Sequence, residues 1–179
     1  MTHIMERSEA KPLDPLTSAA MSVSTVIALN KPIYPLYVWW LAPDALKASI
    51  WTAVSLPIWV ALPFLARKNP YAARVTLVAV GAIDTAAIGA VLGDGTGAWL
   101  FLFAALMLAA MSFEAAEVWT RRIAVSAVFV LFGLAFGRFP VGLAGGFSPE
   151  SVATLFKLNA FGAAALLAFI GLRYPSSRS

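Results

Sequence analysis

Long apolar stretches, separated by short groups of turn-forming or charged residues, run along most of the chain. A helix needs about 20 mainly apolar residues to cross a membrane, so the pattern predicts an all-α bundle of transmembrane helices. The clearest helix start is Asn69-Pro70, because asparagine caps helices and proline suits their first turn. The predicted helix covers residues 70–92 and ends in a glycine-rich turn at residues 93–97.

Two other helices have recognisable starts. Asp44 is the expected cap of a helix over residues 45–66, in which Pro57 and Pro63 predict a kink. The motif Ser148-Pro149-Glu150 combines a cap, a first-turn proline and an acid that complements the helix dipole. It predicts a last helix that runs to about residue 173.

The charged residues in the middle of the chain predict a helical hairpin. Residues 98–113 and 123–136 are apolar, and Glu114, Glu117, Arg121 and Arg122 lie between them. A single helix over residues 98–136 would be about 60 Å long, about twice the thickness of the bilayer core. We therefore expect two helices joined by a turn that holds the charged residues.

The first segment allows two interpretations. Asp14-Pro15 can start a helix, but Asn30-Lys31-Pro32 interrupts the apolar pattern and Pro35 follows. The segment is either one kinked span over residues 15–42 or an interfacial helix followed by a short insertion. The kinked span is favoured, which makes six helices; the other interpretation makes five.

Composition strengthens the membrane prediction. The chain is 60% hydrophobic and 12% charged, with a mean hydropathy of +0.81. Soluble domains are about 25% charged, so a soluble enzyme, a nucleic-acid-binding module and a disordered chain are excluded. The predicted organisation is a polar tail over residues 1–14, a bundle over 15–173 and a short tail over 174–179.

The chain has no cysteine, and its one histidine, His3, lies in the predicted N-terminal tail. This composition excludes iron–sulfur clusters, zinc thiolates and bis-histidine haem inside the bilayer. No Walker motif, nucleophile elbow or metalloprotease helix is present. We therefore expect no cofactor, no metal and no enzymatic activity; a membrane enzyme that relies on Asp84 or on the two glutamates ranks last.

Basic residues predict the orientation. If the helices alternate, one side of the membrane carries Arg67, Lys68, Arg74, Arg121, Arg122, Arg173 and Arg178. Such residues favour the cytoplasmic side, so both termini are expected there, in the inner membrane of a bacterium. Trp39, Trp40, Trp51, Trp99 and Trp119 lie near predicted helix ends, as in an interfacial aromatic belt.

Asp84 is the most informative candidate for ligand binding, because an ionisable group deep in a membrane helix is costly. One interpretation is that Asp84 binds a ligand, an ion or a proton. The alternative is that it forms a structural hydrogen bond to another helix. Lys31, beside a helix break, either helps to form a binding site or extends to the membrane interface. Arg138 and Lys157 are weaker candidates for an anionic ligand, and Asn159 for a ligand or an interhelical hydrogen bond.

The charged hairpin is the candidate docking surface for a protein partner. Glu114, Glu117, Arg121 and Arg122 lie close together in the sequence, and Glu117 and Arg121 have the i, i+4 spacing of an ion pair. The alternative is a solvated cytoplasmic turn. A metal site is weaker still, since two carboxylates without a third ligand are not specific.

Several short blocks together suggest a family. They are Arg67-Lys-Asn-Pro-Tyr-Ala-Ala-Arg74, Gly81-Ala-Ile-Asp-Thr85, Gly93-Asp-Gly-Thr-Gly97, Leu100-Phe101, Phe113-Glu114 with Glu117 and Arg121-Arg122, Phe147-Ser-Pro-Glu150 and Leu158-Asn159-Ala160-Phe161. The series, over roughly residues 29–173, resembles the multi-span N-terminal sensor regions of some proteobacterial histidine kinases and nucleotide cyclases. Those proteins carry a large catalytic domain after the last span, whereas six residues follow Arg173 here. The resemblance implies an input-type bundle without its own output, and no catalytic residues carry over.

Two functions follow as hypotheses. The first is a non-catalytic sensor-like module or accessory subunit that acts through a protein partner or a second copy of itself. The alternative is a small transport component that binds a small molecule or lipid within the bundle, near Asp84, Lys31 or Lys157. In both cases the lipid bilayer is the surrounding medium, and no nucleic acid is involved.

Overall fold

A computed structural model describes residues 12–174, and this part of the chain is helical with no strand. Short 3₁₀ turns connect or extend several of its α-helices. The α-helices are α1 (Pro15–Leu41), α2 (Leu46–Ser49), α3 (Leu56–Lys68), α4 (Pro70–Leu92), α5 (Phe101–Met111), α6 (Val118–Ala135) and α7 (Pro149–Arg173).

Four helical segments are long and apolar enough to cross a membrane. They are Pro43–Lys68, Pro70–Leu92, Ala115–Ala135 and Pro149–Arg173. This confirms the predicted class, an all-helical protein with several apolar helices of membrane-spanning length. The segment Ala98–Met111 is apolar but shorter. His3 and Arg178 lie outside the described residues.

Local capping explains where three long helices begin. Asp14, Asn69 and Ser148 each accept a hydrogen bond from the backbone N–H three residues later, at 2.8, 3.0 and 3.1 Å. Each is followed by a proline, which has no N–H and suits the first turn. The predicted starts of α1, α4 and α7 are therefore confirmed.

The first segment forms one continuous helix. Helix α1 covers 27 residues and includes Asn30, Lys31, Pro32 and Pro35. The two prolines cannot donate to the carbonyls four residues earlier, but the helix continues past both of them. The segment is thus one helix rather than two, and its crossing of the membrane stays a prediction.

The predicted role of Asp44 as the cap of a helix over residues 45–66 is wrong. Asp44 lies inside the 3₁₀ turn Pro43–Ala45, and its carboxylate accepts hydrogen bonds from the Ser148 backbone N–H at 2.9 Å and from the Ser151 hydroxyl. The predicted helix is itself divided, because the 3₁₀ turn Ile50–Ala53 separates α2 from α3. Asp44 thus ties this segment to the start of α7.

The predicted hairpin is present, but its turn is shorter than expected. Helix α5 ends at Met111, and Glu114 begins a 3₁₀ turn in which the Glu117 carboxylate accepts a hydrogen bond from the Glu114 N–H at 2.8 Å. This reciprocal capping reverses the chain without glycine or proline. Arg121 and Arg122 lie in α6 rather than in the turn, which corrects the prediction.

The beginning of α1 and the end of α7 lie at the same end of the bundle. Arg173 donates a hydrogen bond to the Ser22 hydroxyl at 3.0 Å, and the Ser112 and Tyr174 hydroxyls are 2.7 Å apart. Helices α1 and α7 are therefore antiparallel, with α7 against both α1 and α5. The core between these helices is built mainly from alanine, leucine and valine side chains.

Four of the five tryptophans assigned to an aromatic belt are exposed, as that prediction requires: Trp39, Trp40, Trp51 and Trp119. The prediction is wrong for Trp99, whose side chain is only 2% exposed. Its ring packs against Gly89 of α4, where a Cβ atom would lie 2.6 Å from the ring. The tryptophan and the glycine thus allow the start of α5 to approach α4 closely.

Candidate functional site

Lys31 and Asp84 form an ion pair inside the bundle. The Lys31 Nζ lies 2.7 Å from Asp84 Oδ2 and donates a second hydrogen bond, also of 2.7 Å, to the Thr52 carbonyl. The two side chains are only 6% and 15% exposed. Lys31 therefore does not extend to the membrane interface, and both of these candidates meet at one site.

The pair lies well away from both ends of the bundle. Asp84 is 14 residues after the start of α4 and 8 residues before its end, which places it about 21 Å from one end of the helix and about 12 Å from the other at 1.5 Å per residue. Charges at such a depth are costly unless they are paired and hydrogen-bonded. The ion pair is the arrangement that makes both residues tolerable in an apolar helix.

A cavity of about 580 Å³ lies directly beside the ion pair. Helices α1, α3, α4, α5 and α7 contribute to its walls, and small-molecule sites in proteins have volumes of this order. Most of the lining is apolar or aromatic, including Tyr34, Trp59, Ile88, Phe101, Leu108 and Phe169. The Lys31 Nζ also lies 5.8 Å from the centre of the Trp59 ring.

Some hydrogen-bonding capacity beside the cavity is unused. An ammonium group has three donors, and Lys31 uses two of them, on Asp84 and Thr52. The Asp84 Oδ1 has no hydrogen-bond partner among residues 12–174. One donor and one acceptor therefore remain beside an apolar space of small-molecule size.

Asn159 connects helices and also lines the cavity. Its Oδ1 accepts a hydrogen bond from the Tyr34 hydroxyl at 3.1 Å, and its Nδ2 donates to the Thr96 carbonyl at 2.9 Å. The interhelical role considered for Asn159 is confirmed. A role in ligand binding stays a prediction.

Arg138 and Lys157 lie apart from this site. Both are exposed, and neither lines the cavity. Arg138 belongs to the segment between α6 and α7, and Lys157 is on the outside of α7. The proposal that they attract an anionic ligand stays a prediction, and such a ligand would bind outside the cavity.

The charged hairpin contacts Arg74, a buried arginine that was predicted only to mark one side of the membrane. Arg74 is 2% exposed and donates to Glu117 Oε1 at 2.7 Å and to the Thr17 hydroxyl at 2.8 Å. Its guanidinium also lies 3.8 Å from Glu114 Oε1 and 3.6 Å from Asp14 Oδ2. Arg74 thus joins α1, α4 and the α5–α6 turn at the end of the bundle that holds the start of α1 and the end of α7.

Arg74 also corrects the expected ion pair within the hairpin. Glu117 pairs with Arg74, and within residues 12–174 it forms no ion pair with Arg121. Arg122 stacks on Trp119, with its guanidinium 5.2 Å from the ring centre. Of the four docking candidates, Glu117 is therefore engaged inside the bundle, and docking by Glu114, Arg121 and Arg122 stays a prediction.

The environment of Asp14 favours its charged form. Partial burial acts to raise its pKa, but hydrogen bonds from Thr17 and the nearby Arg74 charge together outweigh burial and lower the pKa below 3.8. Asp14 therefore stays ionised beside Arg74 at neutral pH.

Within residues 12–174, no group of three or more histidine, aspartate or glutamate side chains is placed to hold a metal ion. No family model, curated protein or solved structure matches the chain. The resemblance to membrane sensor regions therefore stays a prediction. The case for a function depends on the geometry of the cavity and its ion pair.

Proposed function

We propose that this chain is a multi-pass membrane protein that binds a small, mostly apolar molecule inside its helical bundle. The observation that carries the proposal is the cavity of about 580 Å³ beside the Lys31–Asp84 pair. A bundle that served only as a scaffold would gain from filling this space, since empty apolar volume lowers stability. An open cavity with an unused donor and acceptor is typical of a binding site.

The site favours ligand binding over a role through partner contacts alone. Both of the strongest sequence candidates, Lys31 and Asp84, converge on the cavity. On the docking surface, by contrast, Glu117 is committed to Arg74. We therefore propose a ligand-binding component of a sensing or transport system. The favoured function is a sensor-like input module or accessory subunit, and the alternative is a transport component.

The proposed topology has six spans and both termini in the cytoplasm. The spans are α1, Pro43–Lys68, α4, Ala98–Met111, Ala115–Ala135 and α7. Near the end of the bundle that holds the start of α1 lie Arg67, Lys68, Arg121, Arg122 and Arg173, whereas Lys47, Arg138 and Lys157 lie towards the other end. This asymmetry supports a cytoplasmic location for the first end, in a bacterial inner membrane.

The proposal is tested by looking for a molecule that copurifies with the protein. The protein is extracted in a mild detergent, and native mass spectrometry detects any bound small molecule. Ala165 lines the cavity and Ala164, beside it on α7, does not, although both are exposed. Ala165→Phe is expected to lower occupancy, and Ala164→Phe to leave it unchanged. Equal occupancy in both variants, or no bound molecule in the unaltered protein, would contradict the proposal.

Sensing and transport differ in whether the ligand crosses the membrane. A sensor or accessory subunit is expected to copurify with a protein partner, with no effect of gene deletion on uptake of the identified ligand. A transport component is expected to reduce that uptake when deleted. Measurement of both in cells decides between the two forms.

A further inference from the structure

Helices α1 and α7 are joined at two places, one in the wall of the cavity and one beyond it. The first is the hydrogen bond between Tyr34 and Asn159, and the second is the hydrogen bond between Ser22 and Arg173. Ser22 and Tyr34 are 12 residues apart, which is about 18 Å along a helix. The cavity borders α1 and α7 between these two connections.

Between the connections, residues of both helices line the cavity and are also exposed at the surface of the bundle. They are Val26 and Asn30 on α1, and Phe161 and Ala165 on α7. Val26 is 39% exposed and Phe161 is 76% exposed. A side chain that both lines a cavity and is exposed marks the place where the cavity reaches the surface. We call the gap between these four residues the side opening.

We propose that the side opening admits a neutral, mostly apolar molecule with one hydrogen-bonding end directly from the lipid. This inference rests on the proposed function and on the six-span topology, in which the gap between α1 and α7 faces the hydrocarbon core. The side opening lies along the sides of two helices rather than at their ends, so a lipid-dissolved molecule reaches it without passing through water.

The chemistry of the cavity selects a neutral ligand. Lys31 and Asp84 compensate each other, so a charged ligand would leave one uncompensated charge in an apolar space. A hydroxyl or amide group on the ligand would accept from the third Lys31 donor and donate to the second Asp84 oxygen, whereas a carbonyl would accept from Lys31 alone. Asn30 adds a polar amide at the side opening, and it has no hydrogen-bond partner among residues 12–174.

The absence of cysteine from the chain allows a direct test with single-cysteine variants in lipid vesicles. Thr85→Cys places a thiol on the α4 wall of the cavity, and Ile88→Cys gives a second reporter on the same wall. Ala116→Cys, in the exposed turn between α5 and α6, supplies the reference rate for each reagent. The two probes are N-phenylmaleimide, which is neutral and lipid-soluble, and 2-sulfonatoethyl methanethiosulfonate, which is anionic and confined to water.

Each labelling rate is divided by the rate of the same reagent at Ala116→Cys. On this scale we expect N-phenylmaleimide to modify the Thr85→Cys variant at least about tenfold faster than the sulfonate does, because a charge is excluded from an apolar path. Adding Ala165→Phe is expected to slow this labelling about fivefold or more by filling the side opening, whereas Ala164→Phe leaves it unchanged.

Equal normalised rates for the two probes would show that water reaches the cavity, and labelling unaffected by Ala165→Phe would show that the route does not pass between α1 and α7. Either result overturns the side opening. A copurified ligand would still support the proposed function in both cases. Conversely, lipid-side labelling without any bound ligand would contradict the proposed function alone.

Discussion

Removing one member of the Lys31–Asp84 pair should destabilise the bundle strongly. In the Asp84→Leu variant the Lys31 ammonium, only 6% exposed, keeps its hydrogen bond to the Thr52 carbonyl but loses its compensating charge. An uncompensated buried charge of this kind costs about 3–5 kcal/mol. We expect a loss of about 3 kcal/mol in the free energy of unfolding, at the lower end of that range, because Lys31 keeps its hydrogen bond to the Thr52 carbonyl.

The double variant Lys31→Met/Asp84→Leu separates pairing from simple loss of contacts. Each single change leaves one charge without its partner, whereas the double change leaves an apolar pair. We therefore expect the double variant to lose at least about 2 kcal/mol less than the sum of the two single losses. Lys157→Met is the matched control, since Lys157 is exposed on α7, and its effect should stay within about 0.5 kcal/mol.

The assay is unfolding by increasing sodium dodecyl sulfate in mixed micelles. Helical circular dichroism measures the global transition, and the summed fluorescence of the six tryptophans, which include Trp59 at 5.8 Å from the Lys31 Nζ, provides a second probe of the same transition. Strictly additive losses in the double variant would refute the reasoning, since they would mean that the two charges do not stabilise each other.

Two further predictions concern packing and pH. Gly89→Ala should lower the free energy of unfolding by about 1–3 kcal/mol, because the added Cβ meets the Trp99 ring; Gly133→Ala, with no atom near its Cβ position, should be neutral or stabilising in the same micelle assay. Because its pKa is lowered on folding, Asp14 should contribute stability that is fully present above its unfolded pKa of 3.8 and is lost as the pH falls through the folded pKa. Asp14→Asn should therefore reduce the acid sensitivity of unfolding between about pH 5 and pH 2, and a pH profile identical to that of the unaltered protein would contradict this account.

The helix starts that were predicted correctly depend on contacts within a few residues. Asp14, Asn69 and Ser148 each bond to a backbone N–H three positions ahead, so the sequence contains the whole interaction. Asp44 has the same chemistry but bonds to residues more than 100 positions later. Asp44 differs locally only in lacking the proline that follows the other three, and its actual partners depend on how α7 packs against the second segment.

The candidate site was predictable as separate residues but not as an arrangement. The cost of burial singled out Asp84, and the predicted helix break singled out Lys31. Their pairing depends on the rotation of α1 against α4, which residues 53 positions apart in the sequence do not reveal. Arg74 was assigned only as one of the basic residues on one side of the membrane, although it is buried in the first two turns of α4. The sequence did carry one signal for a buried role of Arg74. It lies four residues after Pro70, inside the predicted helix, and the acidic turn at Glu114–Glu117 offered a partner for its charge.

Among residues 12–174 two cations are buried, and their surroundings differ in a way that separates a structural role from ligand binding. Arg74 has carboxylates from Asp14, Glu114 and Glu117 around it and joins three parts of the chain at one end of the bundle. Lys31 has a single carboxylate and lines the cavity, so its unused donor lies beside space that a ligand can occupy. Arg74 Nε also has no hydrogen-bond partner among residues 12–174, but Arg74 does not line the cavity. A purely structural cation is stabilised further by each additional acidic neighbour, as at Arg74, whereas a site that exchanges a neutral ligand must keep both charge balance and free hydrogen-bonding capacity. Only the Lys31–Asp84 pair meets both conditions, so it is the site at which substitutions should change ligand occupancy as well as stability.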